Sequence, residues 1–138
     1  MRQLIHNRPR LSKTAKFPNF GNMRKPPIHQ SFYNAFRGIF VMLASERNFQ
    51  IEFAALLINL VLIVLLKVEP LEAAVIVLTC AAVLSAEILN TAAEKICDII
   101  QPEYDERIKF IKDVSAGAVL ILTVASLMVG VVVYYPYL

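Results

Sequence analysis

A chain of 138 residues that is 57% hydrophobic, only 18% charged and without Trp is too apolar for a water-soluble domain of that size, because a small domain hides a limited share of its surface. The length allows one ordinary domain, and a membrane has to supply the missing interior. The net charge of +3 is unevenly spread, with eight of the 14 Lys and Arg before residue 40 and no acid there, so its placement says more than its size.

The first thirty residues hold Arg2, Arg8, Arg10, Lys13, Lys16, Arg24 and Lys25 among Pro, Asn and Ser. They show no periodic pattern, and residues 1–30 are expected to be a mostly disordered basic arm that lies on anionic headgroups. The arm has no continuous apolar stretch, which argues against a secretory signal. Charge alone is a nonspecific signal, so no nucleic-acid partner is expected. Over residues 31–45, Phe32, Phe36, Ile39, Phe40 and Leu43 recur at three- and four-residue spacing, the pattern of an amphipathic helix lying in the interface. Ser31 is its expected N-cap.

Three spans follow. The first is expected over residues 49–68, interrupted near its start by Glu52. The second runs over 70–100, opened by Pro70 at a first helical position and closed by Gln101-Pro102. At about 1.5 Å per residue it is about 45 Å long, more than the roughly 30 Å hydrocarbon core, so one end projects into water. The third covers 114–135 and ends in an aromatic cluster of Tyr134, Tyr135 and Tyr137, suited to a membrane–water boundary. The expected fold is therefore all-α and membrane-integral, a surface helix followed by three transmembrane helices. The cations of the arm and of the segment with Arg107, Lys109 and Lys112 place the N-terminus in the cytoplasm and the C-terminus outside. Cys80 and Cys97 lack CxxC or Cys/His spacing and read as packing residues.

With that topology the charged groups meet at one depth. Glu87, Asn90, Glu94 and Asp98 fall within a sector of about 80° on one face of the second span, where it leaves the hydrocarbon. Glu46 and Glu52 stand at the cytoplasmic start of the first span, and Lys112-Asp113 at that of the third. An acid beside hydrocarbon is costly and is usually kept for a function. A lipid hydroxyl lies at the same depth, within reach of cytoplasmic solutes. Phosphorylating it requires a base, a divalent cation and a cationic hold on the transferred group. Glu87 is the candidate base, Glu46 and Glu94 are candidate Mg²⁺ ligands, Lys112 is the phosphate partner, and Asn90 orients the base or the hydroxyl. The glycines form neither GxxxxGK[ST] nor GxGxxG, so any nucleotide is held by helices and their ends.

The segment AEILNTAAEKICD, then QPEYDER, then IKDVSAGAV, resembles the prokaryotic diacylglycerol kinase and undecaprenol kinase family from about Ser31 to about Val133. The resemblance implies a homotrimeric bacterial inner-membrane enzyme that uses MgATP to phosphorylate a membrane lipid alcohol. By position it implies Glu87 as proton acceptor with Asn90 beside it, and Glu46 and Glu94 as metal carboxylates that border the nucleotide. Glu103, Tyr104, Asp105, Lys112 and Asp113 match nucleotide-contacting segments. Asn34 stands where some members have a nucleotide-contacting Tyr, and Asp105 where His is frequent. Glu52 and Ala116, the latter in the small run Ser115–Ala118, are with Glu87 the candidate contacts of the lipid. Undecaprenol is favoured over diacylglycerol. A proton- or cation-coupled transporter is the competing class, but it would hold its acid near the midplane. A non-catalytic subunit that kept the fold is a third.

Overall fold

The computed structural model describes residues 27–138, and the basic arm up to residue 26 lies outside them. Four α-helices follow in order: α1 Ile28–Ser45, α2 Arg47–Leu66, α3 Pro70–Ile100 and α4 Glu106–Tyr134, which tightens into a short 3-10 turn at Tyr135–Tyr137. Helices α2, α3 and α4 are long and apolar enough to cross a membrane. Over the described residues the fold is all-helical, with three helices fit to span a membrane.

Helix α1 starts one turn earlier than Ser31. The Pro27 carbonyl accepts from the backbone N–H groups of Gln30 and Ser31 at 2.9 and 3.2 Å. Pro27 is extended (φ −58°, ψ 150°) and Ile28 is the first helical residue. Ser31 is thus inside the helix, and no side chain caps it. Phe32, Phe36 and Phe40 are exposed on one face, while Met42 is buried.

The break between α1 and α2 is one residue wide. Glu46 is extended (φ −109°, ψ 113°) and serves both helices: its N–H donates to Met42 O at 2.9 Å and its carbonyl accepts from Gln50 N at 3.1 Å. The Gln50 amide donates to the Leu43 carbonyl at 2.9 Å, satisfying an acceptor that the end of α1 leaves free. The first span accordingly begins at Arg47, ahead of the expected residue 49, with the Glu46 side chain at a fixed corner.

At its other end α2 stops on Lys67, whose φ of 55° is left-handed. A non-glycine residue there carries a strain, offset by the bond from Val68 N to Ile63 O at 3.1 Å and by burial of Val68. Helix α3 has 31 residues and is the central element, packed against α2 and α4. Helix α4 begins at Glu106, two turns before the expected start, so Arg107, Lys109 and Lys112 belong to its first turns and the connecting loop shrinks to residues 101–105. Asp105 caps it, accepting from Arg107 N at 2.8 Å. An N-cap Asp next to a Glu in the first turn favours starting the helix at residue 106.

The C-terminal tyrosines do more than mark a boundary. Tyr134 donates to Asn59 Oδ1 at 2.9 Å, linking α4 to α2. Tyr137 donates to Glu72 Oε2 at 2.6 Å and accepts from Glu69 N at 3.1 Å, linking the chain end to the start of α3. Around them Val68, Ile76 and Val133 form a small buried cluster. Most other large apolar side chains, such as Val64, Leu78, Ile121 and Val132, are exposed; only lipid or further protein can cover so much hydrocarbon.

Two outcomes check these ties. Tyr134→Phe removes the α4–α2 hydrogen bond and is expected to lower the unfolding free energy in detergent by about 0.5–1.5 kcal/mol; unchanged thermal unfolding would show the bond to be idle. The Asp105 carboxyl is held down at about 2, chiefly by the Arg107 guanidinium and then by the Arg107 backbone N–H. A depressed carboxyl stabilises fully above the ordinary value of about 3.9 and loses that contribution as pH falls through its folded value. The Arg107 amide is therefore expected to stay protected from exchange at pH 5 and to lose protection only toward pH 2.

Candidate active site

Among the described residues the buried polar ones, Glu87, Asn90 and Thr91, all lie on α3. Glu87 is 4% exposed, on a helix otherwise buried through Ile76, Val83 and Cys97. In so apolar a setting a carboxylate is retained at a cost. Its neighbours come from two other places in the chain. The Asn48 amide, in the first turn of α2, faces the Glu87 carboxyl, and the charges of Glu94 and Glu46 are near enough to act on it. Glu52, one turn further along α2, also lies within electrostatic reach of Glu87. Glu46, Glu52 and Glu94, from the α1–α2 corner, α2 and α3, thus lie within electrostatic range of Glu87.

Local rules explain each placement. Glu87, Asn90 and Glu94 are three and four residues apart on one helix, hence on one face. The Asn90 amide donates to Glu94 Oε1 at 3.4 Å, a long bond. Its Oδ1 is buried and has no partner, as is Glu52 Oε2. Buried acceptors without donors are uncommon in folded proteins, and two such oxygens beside one acid cluster suit a site that receives hydroxyl or amine groups from a ligand.

Lys112, on α4, forms an ion pair with Asp98 on α3, and the Glu94 charge also acts on it. The pair holds the ammonium beside the far end of α3, past Glu94. The structure therefore brings Glu46, Glu52, Glu87, Asn90 and Glu94 together, with Lys112 at one remove through Glu94.

The remaining expected residues sit elsewhere at the same end of the bundle or away from it. Asn34 lines a groove between α1 and α3 that also reaches Glu46. Glu103 and Tyr104 are exposed on the 101–105 loop. Asp105 is committed to Arg107, which donates to both of its oxygens at 3.1 and 2.8 Å. Asp113 pairs with Lys109 one turn back on α4 at 3.1 Å. Ala116 is exposed on α4, facing away from the bundle.

Three residues of this region escaped the sequence reading. Thr91 and Lys95 follow Glu87 at four-residue intervals, so the same helical spacing that selected Glu87, Asn90 and Glu94 also marks a flanking stripe. Asn48 had no signal of its own. Its role depends on the corner at Glu46, which turns the first turn of α2 toward α3.

The profile of the prokaryotic diacylglycerol kinase family matches residues 33–134. The undecaprenol kinase of Bacillus subtilis is 36% identical over 109 residues, which is 79% of this chain and 89% of that protein. The diacylglycerol kinase of Synechocystis sp. is 36% identical over 106 residues, 76% of this chain but 61% of that longer protein.

Glu52→Leu removes a buried oxygen without a partner and replaces it with hydrocarbon. Such a change is expected to raise the unfolding free energy by about 1 kcal/mol, read as a higher melting midpoint in detergent. A fall of that size would mean that Glu52 is held by a partner and serves the fold.

Proposed function

The chain belongs to the prokaryotic diacylglycerol kinase family and is a membrane lipid kinase, and we propose that it transfers the γ-phosphate of ATP to the hydroxyl of undecaprenol at the cytoplasmic face of the bacterial inner membrane. The observation that carries this reading is the convergence on Glu87 of acids from separate helices, at the end of the bundle opposite the tyrosine cluster. A transporter acid would stand near the midplane. Here Glu87, Glu94, Asp98, Glu46 and Lys112 all gather toward one end, with α1 alongside them.

Glu87 is assigned as the base. Its burial keeps bulk water from competing for the proton, and Asn48 and Asn90 flank it as orienting amides. The acceptor oxygen forms a bond to the γ-phosphorus as the bond to the β-phosphate oxygen breaks. The hydroxyl proton passes to a Glu87 oxygen, and ADP leaves with the electron pair. Lys112, restrained by Asp98, is placed to attract phosphate oxygens. Mg²⁺ fits the donor set: Glu46 and Glu94 offer hard carboxylate oxygens, and this ion favours one or two carboxylates with phosphates and water. Among the described residues no three His, Cys, Asp or Glu side chains can hold an ion by themselves, so nucleotide oxygens would share its coordination. When bound, Mg²⁺ would neutralise charge on the phosphates.

Asn34 in the α1–α3 groove, and Glu103, Tyr104, Asp105 and Asp113 around the start of α4, are assigned to the nucleotide. Glu52 is assigned to the lipid headgroup beside Glu87, and Ala116 to the lipid-facing wall. A homotrimer is the assembly that the family resemblance supports, and the exposed apolar faces of α2 and α4 leave surface for it. Undecaprenol is preferred because this chain spans nearly the whole of the undecaprenol kinase relative, whereas it leaves over a third of the diacylglycerol kinase relative unmatched.

Purified protein with Mg²⁺ and labelled ATP is expected to convert undecaprenol to its phosphate faster than it converts diacylglycerol, when both are offered in matched mixed micelles. The opposite order reassigns the substrate. Glu87→Gln is expected to lower turnover by a factor of about 10²–10⁴ with the oligomer unchanged by size-exclusion light scattering. Full activity in that variant removes Glu87 as the base.

A further inference from the structure

The groove between α1 and α3 holds a cation that the reaction outlined above leaves unused. The groove encloses about 970 Å³ and is bordered by Asn34, Arg37 and Ser45 on α1, by Glu46 at the corner, and by Thr91 and Lys95 on α3. Lys95 Nζ stands 3.5 Å from Glu46 Oε1. Glu94 and Lys95 are consecutive, so they leave the helix about 100° apart. Glu94 meets Asn90 and lies beside Glu87, whereas Lys95 reaches across the groove to the corner.

The Lys95–Glu46 pair is loose. Its separation exceeds the ~2.7–2.9 Å of a tight charge-assisted bond, and the Lys95 side chain is 66% exposed against 28% for Glu46. Water-exposed pairs of this kind break at little cost, and a lysine stem is flexible enough to redirect its charge by several ångströms. Glu46 is also the carboxylate assigned to the divalent cation. One Glu46 carboxylate cannot give its best geometry to an ammonium and a divalent cation together. A triphosphate arriving with that cation brings acceptors that the ammonium can take instead.

We propose that Lys95 is a movable phosphate-binding residue of the nucleotide site, which neutralises Glu46 before the nucleotide arrives and turns to its phosphates once the metal takes Glu46. This rests on the assignment of Glu46 to the metal. Lys95 then acts in opposite directions on two equilibria. It opposes binding of the bare divalent cation, because the two compete for Glu46. It favours binding of the metal–nucleotide complex, because both charges find partners. The site therefore takes metal and nucleotide together in preference to metal alone, a coupling between two ligands that meet at one carboxylate.

The test uses the full chain in detergent micelles. Mn²⁺ binding without nucleotide is followed by electron paramagnetic resonance, and binding of a non-hydrolysable ATP analogue with Mg²⁺ by calorimetry. Lys95→Met is expected to tighten Mn²⁺ binding about two- to fivefold and to weaken the analogue about three- to tenfold. Lys95→Gln should behave alike, and Lys95→Arg should keep both affinities near those of the unsubstituted protein. If both affinities fall together, or neither moves, Lys95 merely braces the corner and the proposal fails. It also fails if the substitution weakens only a lipid phosphate added to the micelles. Two controls separate this from the kinase reading: Glu46→Gln must weaken Mn²⁺ binding if Glu46 holds the metal, and the unsubstituted protein must phosphorylate a lipid alcohol if the function is right.

Discussion

A carboxylate held almost out of solvent among apolar helices is the constraint from which the rest of this structure follows. Glu87 sits on the central helix at 4% exposure, where an uncompensated charge would destabilise the bundle. The chain answers with polar groups brought in from several places: Asn90 and Thr91 on the same face, Asn48 and Glu52 from α2, Glu46 from the corner, Glu94 a turn or two further on. Several of these are acids themselves, and Lys95 pairs with one of them, Glu46. Under the function proposed above, a metal–nucleotide substrate would bring cationic charge to such a cluster.

The two ends of the bundle divide the work. At the Pro70 end, Tyr134 and Tyr137 spend their hydroxyls on Asn59 and Glu72, and Val68, Ile76 and Val133 pack beneath them. Polar groups there are paired within the protein. At the other end, Asn90 Oδ1 and Glu52 Oε2 have no protein partner, the Lys95–Glu46 pair is loose, and a broad groove opens beside α1. A fold that satisfies its polar groups at one end and leaves them short at the other keeps its rigidity away from the chemistry and its unmet bonding capacity at it. Helix α3 joins the two, and its length of 31 residues follows from having to do so.

Glu46 is the residue on which the geometry turns. Its extended backbone ends one helix and starts the next without glycine or proline, and the Gln50 side chain covers a carbonyl that this break exposes. Moving the break by one residue would rotate the first turn of α2 by about 100° and carry Asn48 and Glu52 away from Glu87. The close spacing of Glu46, Asn48 and Glu52 is thus a matter of register.

Period and charge placement made much of this legible in the chain itself. The apolar stretches required three spans, Pro70 and Gln101-Pro102 bounded the central one, and a helical repeat put Glu87, Asn90 and Glu94 on one face, because those are local properties of helix geometry. Residues 106–113 fell outside the expected third span, and the Asp105 cap and the pairing of Lys112 with Asp98 and of Lys109 with Asp113 favour helix there. The turn of α2 at Glu46, the approach of Asn48 and Glu52 to Glu87, and the reach of Lys95 to the corner belong to tertiary structure alone. They depend on the angle at which separate helices meet, and that angle is set by packing across the bundle, which no run of neighbouring residues encodes.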